Sequence, residues 1–221
     1  MTRVLVLRPE PGASETVERA GEHGLEAVSI PLFKIEPLAW TAPGVDSFDA
    51  LLLTSANAVR HGGEGLDSLR ALPVYAVGPA TADAAREASF EIAGVGSADI
   101  DTLLATVDPK LRLLHLCGEH RRATSAPHAI TSVPVYRSNA LPRPAGLDRA
   151  GADVALIHSP RAGARLAELV EHRGSIALVA ISAAAADAAG EGWASVHAAD
   201  RPTDEALLAL AARLCNKPAA K

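Results

Sequence analysis

FDALLLTSANAVR, running from Phe48 to Arg60, is an apolar stretch (Ala50 to Leu53) stopped by Thr54-Ser55 and followed by a helix-compatible segment. It reads as a buried strand, a tight hydroxyl-bearing turn and a helix start, because serine and threonine oxygens accept hydrogen bonds from the first unpaired N–H groups of a helix. The same grammar returns in ADVALIHSPRAGARL, Ala152 to Leu166, where Asp153 and Ser159 lie 104 residues beyond Asp49 and Ser55. VYAVGPATADAARE (Val74 to Glu87) faces LVAISAAAADAAGE (Leu178 to Glu191) at the same offset, pairing Gly78 with Ser182 and Asp83 with Asp187. Leu103-Leu104-Ala105 and Leu207-Leu208-Ala209 extend the match. A period of this length is a domain-sized duplication, since solenoid units run about 20–50 residues.

Outward from these stretches, strands alternate with helices. Arg3–Leu7, Leu25–Ile30, Val74–Val77, Glu91–Val95, Leu111–Leu116, Ser132–Tyr136, Ile176–Ile181 and Ala194–Ala198 read as strands. Ser14–His23, Asp101–Val107, Ala183–Ala189 and Thr203–Leu214 read as helices, with a weaker one at Ser125–Ala129. Gly24 closes the first helix through a left-handed cap. His61–Gly65 reads as loose chain and 216–221 as a frayed tail. Several strands are unbroken apolar runs, which predicts an α/β fold of two halves with parallel sheets covered on both faces. Ligands of such sheets sit at the carboxyl ends of the strands.

The 221-residue chain is 48% hydrophobic, 21% charged and carries a net charge of −5, ordinary for a globular protein and without the basic stripe of a nucleic-acid binder. No apolar run reaches the roughly 18 residues of a membrane span, and the first residues lack the pattern of a signal peptide. Two cysteines, Cys117 and Cys215, make no disulfide framework. A cytoplasmic protein that binds neither nucleic acid nor membrane is expected.

Five strand-to-helix turns carry small or hydroxyl residues: Thr54-Ser55, Gly78–Thr81, Gly118–His120, Ser159-Pro160 and Ser182-Ala183. Helix-start N–H groups point at anions, and Arg8, Lys34, Arg121, Arg122, Arg137 and Arg161 are nearby cations. The set suits a polyanionic small molecule held largely by backbone. Against this, Ser55 and Ser159 would cap helices whatever the function, and Tyr136 could be core. No GxGxxG, Walker loop, GxSxG elbow or metal-ligand spacing occurs, so no metal and no organic cofactor is expected.

LRPEPGASETVERAGEHGLEAVSIPLFKIEP, FDALLLTSANAV, VYAVGPATADAA, LLHLCGEHRR, VPVYRS, ALIHSPRAGARLAELV and RPTDEALLAL, in this order and over nearly the whole chain, resemble the uroporphyrinogen-III synthase family. The resemblance implies two flavodoxin-like parallel-sheet domains joined by a two-stranded linker. Residues 1–34 plus 140–221 would form one domain, 38–135 the other, and 32–38 and 135–142 the crossings. It implies cyclisation of hydroxymethylbilane to uroporphyrinogen III in the inter-domain cleft: water leaves ring A, ring D is attacked at its substituted carbon, and a spiro intermediate recloses with ring D inverted. Tyr136 would assist the departing hydroxyl. Arg8, Thr54, Ser55, Ala56, Gly78, Thr81, Gly118, Ser159, Arg161 and Ser182 would hold the eight substrate carboxylates. A cofactor-free monomer, in transient contact with the enzyme that supplies the substrate, is expected. One departure stands out: where relatives carry a Gly-Pro-Thr-Thr-like turn, this chain has Ser182-Ala183-Ala184-Ala185. A non-catalytic, two-lobed sensor of a polycarboxylate is the alternative.

Overall fold

The structure, a computed structural model, describes residues 3–96, 99–121, 124–144, 146–147 and 153–215. Arg122 and the tail 216–221 lie outside them. Eleven strands are formed in chain order: β1 (Arg3–Val6), β2 (Glu26–Ser29), β3 (Phe33–Pro37), β4 (Ala50–Leu53), β5 (Val74–Val77), β6 (Ile92–Gly96), β7 (Arg112–Gly118), β8 (Ala129–Ala140), β9 (Val154–Ile157), β10 (Ala177–Ala180) and β11 (Ser195–Ala198). The α-helices are α1 (Gly12–Glu22), α2 (Ala56–His61), α3 (Pro79–Glu87), α4 (Ile100–Leu104), α5 (Pro160–Leu169), α6 (Ala183–Ala188) and α7 (Asp204–Cys215).

The chain divides into two compact units, Met1–Lys34 with Ala140–Lys221, and Ile35–Asn139. The first contains a five-stranded sheet in the order β11-β10-β9-β1-β2, with every neighbouring pair parallel. Read from the other edge, this is the flavodoxin-like order, second strand outside the first and the rest following. The second sheet runs β3-β8-β7-β4-β5-β6. Its β8-β7-β4-β5-β6 portion shows the same order if counting begins at β7. The sheet is mixed, because the Leu38 N–H donates to the Val135 carbonyl and the Leu141 N–H to that of Leu32, so β3 and β8 run in opposite directions. Strands β4, β5 and β6 of the first repeat correspond to β9, β10 and β11 of the second. Each unit therefore combines a strand pair from one repeat with a strand triplet from the other.

The duplicated aspartates join these exchanged pieces. Asp49, just before β4, accepts from the Arg112 backbone N–H at 2.7 Å and pairs with its guanidinium at 2.8 Å. Asp153, just before β9, accepts from the Arg3 N–H at 3.0 Å. Asp49 also donates its own N–H to the Arg112 carbonyl, as Asp153 does to Arg3. The Arg112 hydrogen bonds hold the Asp49 carboxyl down at about 2.

Both sheet faces are buried because the strands are apolar at successive positions. Leu5 joins the cluster of Ile157, Leu166 and Leu178, whereas Val4 and Val6 join that of Leu156, Val179 and Leu207. Leu51 and Leu53 pack with Leu114 and Leu116, and Ala50 and Leu52 with Leu103, Leu104 and Leu113 on the other face. Each such leucine contributes about 1.5–3 kcal/mol by leaving water.

Two local expectations are overturned. Ser125–Ala129 forms no helix: Pro127 biases the preceding residue away from helical angles, and Ala129 enters the ladder against Arg112. His61–Gly65 is ordered, since His61 ends α2 and Gly63–Leu69 forms a 3₁₀ helix. There the Trp40 Nε1 donates to the Gly62 carbonyl at 2.8 Å, and its ring occupies the space a side chain at Gly65 would need.

Small residues set the approach of α5 to α6. A methyl group on Gly163 would come 2.6 Å from the Ala185 carbonyl oxygen and 3.1 Å from the Ala189 nitrogen, whereas one on Gly21 in α1 would meet nothing. Gly163→Ala is expected to destabilise the protein by about 1–3 kcal/mol. Gly21→Ala is expected to leave stability unchanged or raise it by up to about 1 kcal/mol. Urea unfolding of both variants checks the contrast.

Candidate active site

The strand order reverses twice, between β1 and β9 and between β7 and β4, and crevices open outside the carboxyl ends of the strands at such points. At the β7/β4 reversal a cavity of about 260 Å³ is lined by Thr54, Ser55, Asp99, Ile100, Asp101, His115, Gly118, His120, Arg121 and Tyr136. Four of the sequence-predicted residues, Thr54, Ser55, Gly118 and Tyr136, thus share one pocket in the second unit.

Tyr136 is placed there by a bulge. Cys117 pairs with Pro134 but Gly118 pairs with Tyr136, so β8 carries one extra residue against β7. Such an insertion re-aims the following side chain. The phenol lies over Gly118, where a methyl group would come 2.9 Å from Cζ and 3.0 Å from the hydroxyl oxygen. Glycine is required by close approach here. The Ser55 side chain hydrogen-bonds the phenol, and burial nevertheless pushes the Tyr136 pKa above its ordinary value, so the hydroxyl is a neutral donor at physiological pH. The His61 ring stands 6.4 Å away.

Ser55 also caps α2, accepting from the Asn57 N–H at 3.2 Å, and Ala56 begins that helix. The Thr54 hydroxyl lies 3.1 Å from His115 Nε2. His115 is only 3% exposed, and burial, then the Arg121 charge, lower its pKa to about 4. Gly78 and Thr81 are not part of this pocket's lining. Gly78 adopts φ +86°, a conformation that favours glycine, and Thr81 is buried in the first turn of α3.

The β1/β9 reversal in the first unit is occupied by charge. Asp204 accepts from His158 Nε2 at 2.8 Å and from the Thr16 hydroxyl at 3.1 Å, and pairs with Arg19 at 2.6 Å and Arg8 at 3.6 Å. Burial opposes ionisation of Asp204, but the His158 hydrogen bond and the Arg19 and Arg8 charges outweigh it and lower its pKa. Burial keeps the His158 pKa below the ordinary value, so the imidazole is neutral at pH 7. Arg8 is thus engaged within its own unit. Its guanidinium fills the space a Gly12 side chain would need. Ser159 caps α5 through the Ala162 N–H at 3.2 Å, and Arg161 lies 4.6 Å over the Phe33 ring. Ser182 caps α6 by accepting from the Ala185 N–H at 3.3 Å, so the serine itself takes one of the N–H groups that the threonine-less turn offered.

Of the other cations, Arg121 lines the pocket and Arg137 approaches Glu36 at 3.5 Å. His115, Asp99 and Asp101 also line the pocket, beyond the residues expected from the sequence. The available signal for His115 was a lone imidazole inside the apolar strand LLHLCG. Asp99 caps α4 through the Thr102 N–H at 2.8 Å. Among the described residues no three histidine, cysteine or acidic side chains converge as a metal site, and no helix is long and apolar enough to cross a membrane.

Fold and pocket define a doubly wound α/β protein of two composite units, with a polar crevice at a strand-order reversal and a tyrosine at its wall. The family model described as Uroporphyrinogen-III synthase HemD matches residues 14–209, and the chain belongs to that family. A search of curated proteins found no match. Among solved structures, the chain is similar to the uroporphyrinogen-III synthetase of Helicobacter pylori 26695, with a TM-score of 0.69, 16% identity, and 96% of this chain and 99% of that one covered. It is also similar to a mutant uroporphyrinogen III synthase of the extremely thermophilic bacterium Thermus thermophilus, with a TM-score of 0.55, 17% identity, and 98% and 100% covered. These two likenesses bear on the fold.

Among the histidines with a lowered pKa, His115 and His158 predict acid sensitivity. An unfolded histidine titrates near 6.5, whereas His115 in the fold titrates near 4, so its contribution is fully present above about 6.5 and is lost as pH falls toward 4. His158 acts in the same direction, and Asp204 adds a loss at lower pH. From His115 alone, stability is expected to fall by about 2 kcal/mol between pH 7 and 5. Urea midpoints at pH 7, 6 and 5 check this, and His115→Gln should flatten the slope.

Proposed function

We propose that the chain performs its family's reaction, closing hydroxymethylbilane to uroporphyrinogen III with loss of water and inversion of ring D, and that Tyr136 serves the dehydration step. The observation that carries the assignment is the phenol itself: neutral, hydrogen-bonded to Ser55, seated on Gly118 and facing a crevice at a strand-order reversal.

The chemistry asks little of an acid. Electron density from the ring-A pyrrole nitrogen expels the hydroxyl, the carbon–oxygen bond breaks, and an azafulvene cation remains. A phenol with a raised pKa is a weak acid, so it assists by donating a hydrogen bond to the departing oxygen. Ring D then attacks through its substituted carbon, the spiro intermediate fragments, and reclosure with loss of a proton restores the pyrrole. The demanding part is conformational, because the less accessible carbon must react. Holding reacting atoms in attack geometry supplies up to roughly 7–11 kcal/mol. Thr54 and Arg121 offer a donor and charge for nearby substrate carboxylates, Ser55 holds the phenol, and the capped turns at Ser159 and Ser182 offer further polar contacts. The protein is proposed to work as a cytoplasmic monomer.

The direct test is the product. With hydroxymethylbilane generated in situ, and the products oxidised and separated by chromatography, isomer III is expected to dominate. Isomer I alone, the spontaneous product, would mean that the protein does not close the ring, and substrate binding without turnover would favour a sensor. Tyr136→Phe is expected to lower kcat by about 10²-fold, the low end for acid assistance, with little change in KM. Full activity in this variant would remove Tyr136 from the chemistry.

A further inference from the structure

His115 occupies a position where the fold offers leucine. It lies mid-strand in β7, paired with Leu52 on one side and Ser132 on the other, and alternates with the core residue Leu113. A buried polar group costs stability unless its hydrogen bonds are met. Here they are met on both nitrogens: Nε2 stands 3.1 Å from the Thr54 hydroxyl and Nδ1 stands 3.4 Å from that of Ser132. The sheet register makes this reach possible, since Ser132 is the cross-strand neighbour and Thr54 lies two residues beyond the other neighbour, Leu52, on the same face. His115 borders the Tyr136 pocket and also a second cavity of about 570 Å³ that shares His120 and Arg121 with it and is lined further by Glu119, Thr124 and Ser132.

We infer that His115 is a positioning residue for the cyclisation: Ser132 donates to Nδ1, Nε2–H donates to Thr54, and the Thr54 hydroxyl hydrogen is thereby left to point at a substrate carboxylate. The inference rests on the pocket's assignment to the substrate. The direction of the chain follows from what each end accepts. A neutral imidazole has one donor and one acceptor nitrogen, and the bond at one fixes the role of the other. With the opposite tautomer, Thr54 would spend its only proton on Nε2 and present lone pairs alone. An ionised carboxylate is an acceptor only, so it would meet repulsion there. The low pKa keeps the ring neutral, so both roles persist at physiological pH. His115 need touch no substrate atom; it acts through Thr54.

Three measurements test this. Long-range ¹⁵N–¹H correlation spectra of the full wild-type chain should show His115 as the Nε2–H tautomer at pH 7, and the Nδ1–H form would overturn the inference whatever the role of Tyr136. His115→Leu should lower kcat/KM by about 10- to 100-fold, as expected for a lost hydrogen bond to a charged group, without lowering the melting temperature. Thr54→Val should cause a loss of similar size, and the double variant should lose little more, as expected for residues acting as a unit. His115→Gln, whose amide nitrogen can take the place of Nε2, should recover most of the activity. Unchanged kcat/KM in His115→Leu, or fully additive losses, would overturn the proposal. If His115→Leu did not fold, the tautomer and the Thr54→Val and His115→Gln variants would still decide it. Full activity in Tyr136→Phe would strike the phenol's role without altering these outcomes.

Discussion

The pairing of β7 with β4, and of β1 with β9, is the constraint on which both units depend. Each pair joins strands from different repeats, so neither repeat could complete a sheet by itself. Asp49 and Asp153 close these seams by binding the first backbone N–H of the neighbouring strand. A carboxylate accepting from backbone at a strand entry fixes register, and a one-residue slip would turn every buried leucine toward the opposite face. The same two seams are where the strand order reverses, so the pairing that completes each core also creates the crevice beside it.

The two crevices have diverged in charge. In the first unit Asp204 places a carboxylate among Arg8, Arg19, Thr16 and His158 and pairs with both guanidinium groups. In the second unit the corresponding edge has Gly118 and Tyr136 on one strand pair, Thr54 and Ser55 on the other, and a cavity between them. A duplicated fold can keep one edge as a closed electrostatic knot and leave the other for a ligand. Losing the partners of a buried carboxylate is far costlier than losing an exposed ion pair, so the knot is the less adaptable of the two.

Much of this was legible. The fixed offset of 104 residues marked equivalent turns, and Ser55, Ser159 and Ser182 are the helix caps their positions required. Continuous apolar runs marked strands buried on both faces. The exchange of strand pairs between repeats was not visible in the periodicity, because it depends on long-range pairing, and only the family resemblance suggested it. Arg8 reads as a cation at a strand end, yet its partner Asp204 lies near the far end of the chain. Gly78 and Ser182 match in sequence, but one takes φ +86° and the other is extended at −158°, so equivalent letters hide different backbones. His115 is a lone imidazole in an apolar strand, and its hydrogen-bond partners, Thr54 in the turn after β4 and Ser132 on β8, lie elsewhere along the chain.

The composite sheets also impose an order of assembly during synthesis. Residues 35–139 are contiguous, so that unit has all its chain once β8 has emerged. The other unit begins with β1 and β2 but cannot finish its sheet until β9, β10 and β11 are made, starting about 120 residues after Lys34. At about 5–20 residues per second, translation leaves the apolar strand Val4–Val6 without its β9 partner for roughly 7–30 seconds. Through that interval the nascent chain carries an unpaired, aggregation-prone edge while the chain of the other unit is still being made. The gene's duplication therefore sets a burden on the ribosome and on chaperones that the finished molecule no longer displays.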